Sequence, residues 1–385
     1  MTEQSQAALL QALEKLTDGR EAMVTVVPGR ITIVGDHVDY AGGATLCGAI
    51  DMELAVGISV AGAGMWRLLL PSGAGGSGSR VEEREELWLD GGYADTAFAT
   101  LLGMEQAGFS FPPLEMAVVS QIPPGAGLSS SAALCCGISL AVARFTGVGM
   151  TAPQLVAQAQ MVENDILGVP CGTLDQTAIV YGRKDELLLF DAGKEQTASV
   201  ACDMSGYRWL LCPTRKKHST GGKEYRERRA QLEAAAAELG ITSWREVQEE
   251  DLRRLRNPLY RSRARHVVTE TRRSLEAVEA ARSADFGQLG ALMLESHSSL
   301  SQDYEVSTAA LDTTVGAAMG VQGVMGARLV GAGFGGCVLA LCEMSAVQPC
   351  RIAMSSAAGV PPEWVVQVNL TEGLAMRYPE SVRPG

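Results

Sequence analysis

A glycine-rich turn that runs straight into a helix of small side chains restricts the fold of this chain more than any other feature. It occupies residues 121–145, QIPPGAGLSSSAALCCGISLAVARF, and follows a strand-like run, LEMAVVS, at residues 114–120. Gly125 and Gly127 permit positive φ and a close backbone approach to a ligand. Three serines then open a helix whose first turn offers unpaired N–H groups and the positive end of the helix dipole. The segment therefore predicts a strand, an anion-binding loop and a slim helix in direct succession.

The anion expected in this loop is a phosphate, and serine hydroxyls there can also ligate Mg²⁺. A bare GxG would be explained as well by an ordinary turn with serine caps. Here two prolines fix the entry to the turn, and Ala132, Ala133, Cys135 and Gly137 keep the helix narrow. No GK[ST] follows, so the loop is not a Walker A loop, and it does not read GxGxxG, which disfavours a Rossmann dinucleotide site.

A second run, VPGRITIVGDHVDYAGG at residues 27–43, carries many polar groups beside a short apolar strand. It places Arg30, Asp36, His37 and Asp39 between two glycine-bearing turns. A folded core does not need these groups, and a turn needs only the glycine and aspartate. The run therefore indicates a site that holds something polar.

Two further segments are ambiguous when each is taken alone. In ENDILGVPCGTLDQ, residues 163–176, glycines and a proline force a turn that presents Asp175, and a structural Asx-turn would explain that aspartate equally well. In GARLVGAGFGGCVLAL, residues 326–341, glycines precede a buried strand, and a tight β-turn without a ligand would explain them.

The rest of the chain predicts a mixed α+β protein in two halves that divide near residue 200. A helix is expected at residues 151–167, with Thr151 as its N-cap, and a long charged helical region from Lys223 to about Gln302. In that region Val268, Leu275 and Val278 are predicted to face the core. Strand-like runs occur at residues 24–27, 31–34, 54–60, 67–70, 186–190, 207–212, 337–342 and 364–370.

Composition limits the partners that the chain can have. The net charge of −12 argues against nucleic acid and anionic membranes as partners. Nine cysteines without a CxxC pair favour free thiols in a reducing cytoplasm. The N-terminal residues lack the features of a signal peptide, and no window reaches ~18 uncharged apolar residues, so no membrane span is expected. The four histidines form no HxxxH pair, which disfavours a histidine-based zinc site.

In their order and spacing, the four segments together resemble the GHMP kinase superfamily and, within it, the galactokinases. VPGRITIVGDHVDYAGG is similar to the galactokinase signature, and PPGAGLSSSAA resembles the phosphate loop of the superfamily. PCGTLDQ and GAGFGGC are similar to the third and fourth family motifs. The resemblance implies a two-domain α+β GHMP kinase fold, with residues 1–200 as the N-terminal domain, residues 201–385 as the C-terminal domain, and the active site in the cleft between them.

The resemblance also implies ATP-dependent phosphorylation of the anomeric 1-hydroxyl of galactose. Asp175 would face that hydroxyl as general base or as electrostatic anchor, with Arg30 beside it. Ser131 and Glu163 would hold Mg²⁺ against the β- and γ-phosphates. The implied sugar contacts are Asp36, His37, Asp39, Gly172 and Tyr225. The implied phosphate-binding residues are Pro124, Gly125, Ala126, Gly127, Leu128, Ser129, Ser130 and Ser131. A monomer with a small sugar and ATP as its only partners is expected.

The sequence departs from the galactokinase signature at Asp36, where the family usually has a glutamate that reaches the C6 hydroxyl. The shorter side chain withdraws the carboxylate by roughly 1.5 Å, so that either a water fills the gap or a larger C6 group is accepted. Thr32 replaces the usual asparagine and Leu174 a usual methionine, the latter a swap of similar volume. The alternatives left open are a kinase for N-acetylgalactosamine, L-arabinose or a C6-modified galactose, and a non-catalytic sugar and ATP sensor.

Overall fold

The computed structural model describes residues 7, 10–11, 13–14, 17–20, 22–62, 64–71, 79–92, 94–123, 125–214 and 222–378 of the 385-residue chain. Pro124 of the predicted phosphate loop lies outside these residues. Within them, two β-sheets carry helices, so the predicted mixed α+β architecture is confirmed. The described helices include none with the length and apolar character needed to cross a membrane.

The larger, N-terminal sheet is built around two long antiparallel strands, β1 and β2. Its order is β4-β3-β5-β2-β6-β7, with β1 paired to β2. The runs predicted as separate strands at residues 24–27 and 31–34 form the single strand β1, and its register shifts between Pro28 and Gly29. Proline has no N–H for the ladder, so the strand continues through an irregularity there. The strands are β1 Met23–Val34, β2 Ala44–Val60, β3 Trp66–Pro71, β4 Ser79–Arg84, β5 Leu114–Ser120, β6 Glu186–Asp191 and β7 Gln196–Ala201.

The helix that follows the glycine-rich loop packs directly on β1 and β2. A Cβ atom at Gly137 would lie 2.7 Å from a methyl carbon of Val27, so the small side chains let this helix approach the sheet closely. Thr151 caps the next helix in a capping box with Gln154, as predicted, and a π-helical turn, Val162–Ile166, follows that helix. The helices of this half are α1 Asp95–Gln106, α2 Ser130–Phe145, α3 Ala152–Met161 and α4 Leu174–Tyr181.

The smaller, C-terminal sheet is antiparallel throughout, in the order β11-β8-β10-β9. Its strands are β8 Tyr207–Pro213, β9 Val324–Val330, β10 Cys337–Glu343 and β11 Val366–Val368. The helices of this half are α5 Lys223–Leu239, α6 Pro258–Arg282, α7 Phe286–Gln302, α8 Ala309–Met319, α9 Val347–Ala358 and the short α10 Leu374–Arg377.

The predicted core stripe of α6 is wrong at Leu275, which is 48% exposed, whereas Val278 is 2% exposed. The reason is that the buried face of α6 is largely polar: His266, Glu270 and Ser274 are each 0% exposed. Apolar periodicity cannot locate a face whose buried groups are paired charges and hydroxyls.

The two sheets are joined by helices and by the returning C-terminal segment. Helix α6 packs on β2, while α7 packs on both β1 and β9. Near the C-terminus, Leu370 forms a bridge with Ile50, and Arg377 pairs with Glu53 of β2. The loops that follow β1, β5 and β9 also meet: His37 binds the Ala332 carbonyl, and Gly331 lies against the Gly127 carbonyl.

Candidate active site

Arg30 and Asp175 form an ion pair at the centre of the site. Arg30 lies in β1 and is 3% exposed, whereas the Asp175 side chain, in the first turn of α4, is 35% exposed. Arg30 Nε donates to Asp175 Oδ1 at 2.8 Å, and Nη1 donates to the Gly127 carbonyl at 2.6 Å. Burial lowers the pKa of the Arg30 guanidinium, but the charges of Asp175 and Asp36 outweigh it and raise that pKa. Arg30 therefore stays charged and links Asp175 to the glycine-rich loop.

The glycine-rich loop, which the structure describes at residues 125–129, leads from β5 into the first turn of α2. Gly125 and Gly127 have φ values of 72° and 74°, the left-handed region that the sequence predicted for them. Ser129 is also left-handed, with φ of 62°, and its hydroxyl donates to Asp175 Oδ2. Both carboxylate oxygens of Asp175 are thus bound by protein donors. The structure brings the predicted phosphate-binding residues Gly125, Ala126, Gly127, Leu128, Ser129, Ser130 and Ser131 to the start of α2.

Glu163 lies in the π-helical turn and is 8% exposed. Its carboxylate accepts hydrogen bonds from the Ser131 hydroxyl and, at 2.5 Å, from Gln176 Nε2. Burial raises the pKa of Glu163 to about 7, the charge of Asp175 adds to this, and the two hydrogen bonds oppose it. The structure therefore brings together the two residues predicted to hold a metal.

Asp39 reaches the start of α4 from the loop that joins β1 and β2, residues 35–43, which we call the β1–β2 loop. Asp39 Oδ2 accepts from the Leu174 N–H at 3.1 Å. A Cβ atom at Gly172 would lie 1.9 Å from the same oxygen, so only glycine fits beside this carboxylate. Burial raises the pKa of Asp39 to about 6, and the charge of Asp175 adds to this, although the Leu174 N–H opposes it. Asp39, Gly172 and Asp175 therefore converge.

His37 and Tyr225 form an aromatic wall of the site. The His37 ring centroid lies 5.4 Å from that of Tyr225 and 4.9 Å from that of Tyr304. His37 Nε2 donates to the Ala332 carbonyl at 3.0 Å, because a carbonyl can only accept, and Nδ1 lies 3.1 Å from the Tyr40 hydroxyl. Burial raises the pKa of the Tyr225 phenol well above its usual range. Tyr225 is thus neutral, and both ring nitrogens of His37 are engaged by protein atoms.

Asp36 is buried and paired with a residue of the C-terminal sheet. It is 3% exposed, and its carboxylate accepts a hydrogen bond from Arg328 Nη2, whose residue is 0% exposed. Burial raises the pKa of Asp36, and the positive charge of Arg328 opposes that rise. The contact with a sugar that the sequence suggested for Asp36 stays a prediction, and the structure adds a buried partner that the sequence analysis missed.

Three contributions to the site were missed: Arg328, Tyr304, and the bond from Ser129 to Asp175. Arg328 is the only charged residue in GARLVGAGFGGCVLAL, and a lone charge in a buried strand requires a partner, so it could have been singled out. The Tyr304 hydroxyl lies 2.6 Å from the Tyr40 hydroxyl, although the two residues are 264 positions apart in the sequence. No local sequence pattern predicts such a contact.

Comparison with known families defines the class of protein. Models of the GHMP kinases N terminal domain and the GHMP kinases C terminal domain match residues 91–183 and 276–349. A model of the galactokinase galactose-binding signature matches residues 12–60. A mevalonate kinase from Methanococcus jannaschii superposes with a TM-score of 0.64, covering 91% of this chain and 99% of that one, at 16% identity, which supports the fold alone. The fold is thus that of a GHMP kinase.

Individual relatives identify the family within the GHMP kinases. The galactokinase of Thermotoga maritima is 36% identical over 324 residues, which cover 84% of this chain and 90% of the relative. The human galactokinase is 35% identical over 359 residues, covering 87% and 90% of the two chains. The crystal structure of Lactococcus lactis galactokinase complexed with galactose has a TM-score of 0.85 and 27% identity, and covers 96% of this chain and 98% of that one. The chain belongs to the galactokinase family of the GHMP kinases.

Family membership confirms the family, the GHMP kinase fold and the sugar kinase class predicted from the four motifs. ATP as the second substrate follows from the same family.

Proposed function

We propose that this protein transfers the γ-phosphoryl group of ATP to the anomeric 1-hydroxyl of galactose, giving galactose 1-phosphate and ADP. The observation that carries the proposal is the position of Asp175. Its carboxylate is held by Arg30 and Ser129 beside the start of α2, yet 35% of its side chain remains exposed. A hydroxyl that reaches Asp175 therefore lies next to the loop that suits a phosphate.

The nucleotide phosphates are assigned to the glycine-rich loop. The left-handed Gly125 and Gly127 allow the backbone to curve around a ligand, and α2 begins at Ser130 with its N–H groups unpaired within the helix. The helix dipole adds roughly half a positive charge at this end. In a protein with a net charge of −12, such a local field is what lets a polyanion bind.

The sugar is assigned to the space bordered by Asp39, Gly172, His37 and Tyr225. With a pKa of about 6, the Asp39 carboxylate is ionised at neutral pH and accepts hydrogen bonds from sugar hydroxyls. Gly172 lies directly against that carboxylate, so a side chain at position 172 would displace it. The neutral ring of Tyr225 and the ring of His37, whose centroids lie 5.4 Å apart, supply the wall against which a pyranose face packs.

In the proposed reaction, the 1-hydroxyl of the sugar donates a hydrogen bond to Asp175. Asp175 then accepts the hydroxyl proton as a general base, or fixes the hydroxyl as an electrostatic anchor while the proton leaves late. Arg30, 2.7 Å from Asp175 Oδ1, offsets negative charge that develops on the transferred group. Positioning and charge stabilisation supply most of the acceleration in phosphoryl transfer.

Mg²⁺ is part of the proposal, and the chain fits it. Ser131 and Glu163 present hard oxygen donors in mutual contact, and burial raises the pKa of Glu163 to about 7, so a cation would restore its ionised form. Among the described residues no cluster of three or more His, Cys, Asp or Glu side chains could hold a metal alone. This agrees with an ion held by one carboxylate, one hydroxyl and substrate phosphates. When bound, the ion neutralises charge on the β- and γ-phosphates.

The remaining parts of the proposal concern organisation. We assign residues 1–200 and 201–385 to two domains, supported by the change of sheet between β7 and β8. The protein is proposed to act in the cytoplasm as a monomer, without nucleic-acid or membrane partners. The net charge of −12 and nine free cysteines, eight of them buried, support this assignment.

A second candidate substrate is a galactose altered at C6, and the buried Asp36–Arg328 pair favours it. A carboxylate that is 3% exposed and already paired gives a C6 hydroxyl little to bind. N-acetylgalactosamine and L-arabinose are further sugars to compare. Arg30 and Ser129 are both bound to Asp175, and Glu163 is bound to Ser131 at the start of α2, which favours a kinase over a non-catalytic sensor.

The proposal is tested by measuring ADP release with galactose, 6-deoxygalactose, N-acetylgalactosamine, L-arabinose and glucose. Loss of the reducing end of the sugar identifies phosphorylation at the anomeric hydroxyl. Asp175→Asn should reduce kcat by roughly 10²–10⁴-fold, the range for a positioned proton acceptor. The matched control is Asp185→Asn, an exposed aspartate at φ of 59° where asparagine is well tolerated, and it should leave kcat unchanged.

Three results would contradict the proposal. ADP release with none of these sugars would exclude the kinase activity. A phosphorylated product that keeps its reducing end would exclude transfer to the 1-hydroxyl. An Asp175→Asn protein as active as Asp185→Asn would exclude the role of Asp175.

A further inference from the structure

Arg328 joins the two halves of the protein through a single buried side chain. It lies in β9 of the C-terminal sheet and is 0% exposed. Its Nε donates to the Leu329 carbonyl at 2.9 Å, and its Nη1 donates to the Ile33 carbonyl at 3.0 Å. Its Nη2 donates to the Asp36 carboxylate. One guanidinium therefore holds both the end of β1 and the turn that follows it.

The turn held by Arg328 leads directly into the predicted sugar contacts. Gly35 and His37 flank Asp36 with φ values of 111° and 65°, so three successive residues make a tight reversal before Asp39. Glu270 of α6 holds the same turn from the other side, because its Oε1 accepts from the Gly35 N–H at 2.9 Å. The position of the β1–β2 loop thus depends on two charged groups that belong to the C-terminal half.

The residues that follow Arg328 contact the glycine-rich loop. A Cβ atom at Gly127 would lie 2.6 Å from the Val330 carbonyl, and one at Gly331 would lie 2.6 Å from the Gly127 carbonyl. The Ala332 carbonyl, one residue further on, accepts the hydrogen bond from His37. Residues 328–332 therefore touch the glycine-rich loop on one side and the β1–β2 loop on the other.

The charges around Arg328 are balanced, so the pair does not leave a buried ion uncompensated. Glu270 lies 3.9 Å from Arg328 and is itself paired with Arg273, which gives two carboxylates and two guanidinium groups in one cluster. A buried pair of this kind contributes little net stability when it is intact, but removal of one partner is costly. We therefore explain the Arg328–Asp36 pair by the geometry that it fixes rather than by a gain in stability.

We propose that Arg328 is a positioning residue that sets the β1–β2 loop against the glycine-rich loop, and so aligns the sugar hydroxyl with the transferred phosphoryl group. This role rests on the proposed function. Arg328 acts through Asp36 and the Ile33 carbonyl, because it is fully buried and its guanidinium is bound to protein atoms. Misplacement of reacting groups by about 1 Å can reduce a rate by about 10²-fold.

The test compares Arg328→Met and Arg328→Lys with Arg377→Met. Arg377 is a matched control, since it also joins distant segments by pairing with Glu53, a carboxylate 1% exposed, but its partners Glu53, Val26, Thr371 and Glu372 lie outside both loops. The measurements are kcat, KM for galactose, KM for ATP and the melting temperature.

For Arg328→Met we expect kcat/KM for galactose to fall by about 10²-fold, while KM for ATP changes by less than about threefold. The difference arises because the glycine-rich loop keeps its backbone contacts to Val330 and Gly331. Arg328→Lys should recover part of the loss, since lysine keeps the charge but not the fork of donors. Arg377→Met should lower the melting temperature with normal kinetic constants. If Arg328→Met does not fold, Arg328→Lys and Asp36→Asn are compared with Arg377→Met instead.

The proposal is overturned if the folded Arg328 variants lose only thermal stability, as Arg377→Met does. It is also overturned if KM for ATP rises as much as KM for galactose, because that describes general loosening. These outcomes are distinct from a failure of the proposed function, in which the unaltered protein turns over none of the sugars.

Discussion

Replacement of Asp39 by asparagine should stabilise the free protein at neutral pH while it weakens sugar binding. In the folded protein, burial raises the pKa of Asp39 from its ordinary 3.8 to about 6. In the unfolded chain the proton leaves near pH 3.8, so between pH 3.8 and 6 the folded protein binds more protons than the unfolded one. The free energy of unfolding therefore falls as pH rises through this range, and the full penalty applies above about pH 6.

The free energy that the folded protein loses by ionising Asp39 follows from the shift in its pKa. A pKa difference of about two corresponds to about 3 kcal/mol, at about 1.4 kcal/mol for each unit. Asp39 keeps part of its surface exposed, so solvent screening reduces this to about 1.5 kcal/mol. Asparagine has the same shape and retains an acceptor for the Leu174 N–H, so Asp39→Asn should remove the penalty without opening a cavity.

The assay is urea unfolding of the sugar-free protein at pH 4 to 8. The Asp39→Asn and unaltered proteins should be equally stable near pH 4 and differ by about 1.5 kcal/mol at pH 7.5, with the variant more stable. Asp191→Asn is the matched opposite case. Burial raises the pKa of Asp191, but hydrogen bonds from Arg245 and Lys194 outweigh it and lower that pKa, so this variant should be less stable at pH 7.5. A stability difference for Asp39→Asn that does not change with pH, or that has the opposite sign, would refute the reasoning.

Two further substitutions test the geometry of the sugar site. Gly172→Ala places a methyl group 1.9 Å from Asp39 Oδ2 and should raise KM for galactose roughly tenfold, for an overpacking cost of about 1–3 kcal/mol. Gly149→Ala, with nothing within 4 Å of its new Cβ, is the control, and equal KM values in the two variants would show that Asp39 is not confined. Asp36→Glu lengthens the carboxylate paired with Arg328 and should raise the ratio of kcat/KM for galactose over 6-deoxygalactose by roughly tenfold, the value of about one matched group. An unchanged ratio would remove Asp36 from C6 recognition.

The fold was largely predictable because its elements carry local patterns. The strand, glycine-rich turn and small-residue helix at residues 114–145 appear as β5, the loop and α2. The N-cap of α3 at Thr151 was also predictable, because the groups that cap a helix lie within four consecutive residues. The prediction that Leu275 is buried was wrong, because α6 buries Glu270 and His266, whose partners lie elsewhere in the chain.

The candidate site was predictable in its residue types but not in its pairings. Arg30, Asp39 and Asp175 were identified from their motifs. In the structure Arg30 binds Asp175 directly, and Asp39 accepts from the N–H of Leu174, the residue before Asp175. The partner of Asp36 was not identified, because Arg328 lies 292 residues away. A local sequence pattern predicts the turn that carries a side chain. The hydrogen-bond partner of that side chain depends on how the two sheets pack, which the pattern does not contain.

This difference explains why the glycine motif at residues 326–341 was ambiguous in isolation. Gly331 lacks room for a Cβ because that atom would lie 2.6 Å from the Gly127 carbonyl, in the opposite half of the protein, and a Cβ on Gly127 would lie 2.6 Å from the Val330 carbonyl. A glycine that is required by a contact 204 residues away looks, within its own segment, like an ordinary turn. The need for glycine becomes clear only when the two loops are considered as one surface. Arg30 is bound to the Gly127 carbonyl on one side of that surface, and Arg328 is bound to Asp36 on the other. A site assembled in this way ties catalysis to the packing of the two halves, so substitutions in β9 should affect the kinetics of a reaction whose predicted catalytic groups all lie in the N-terminal half.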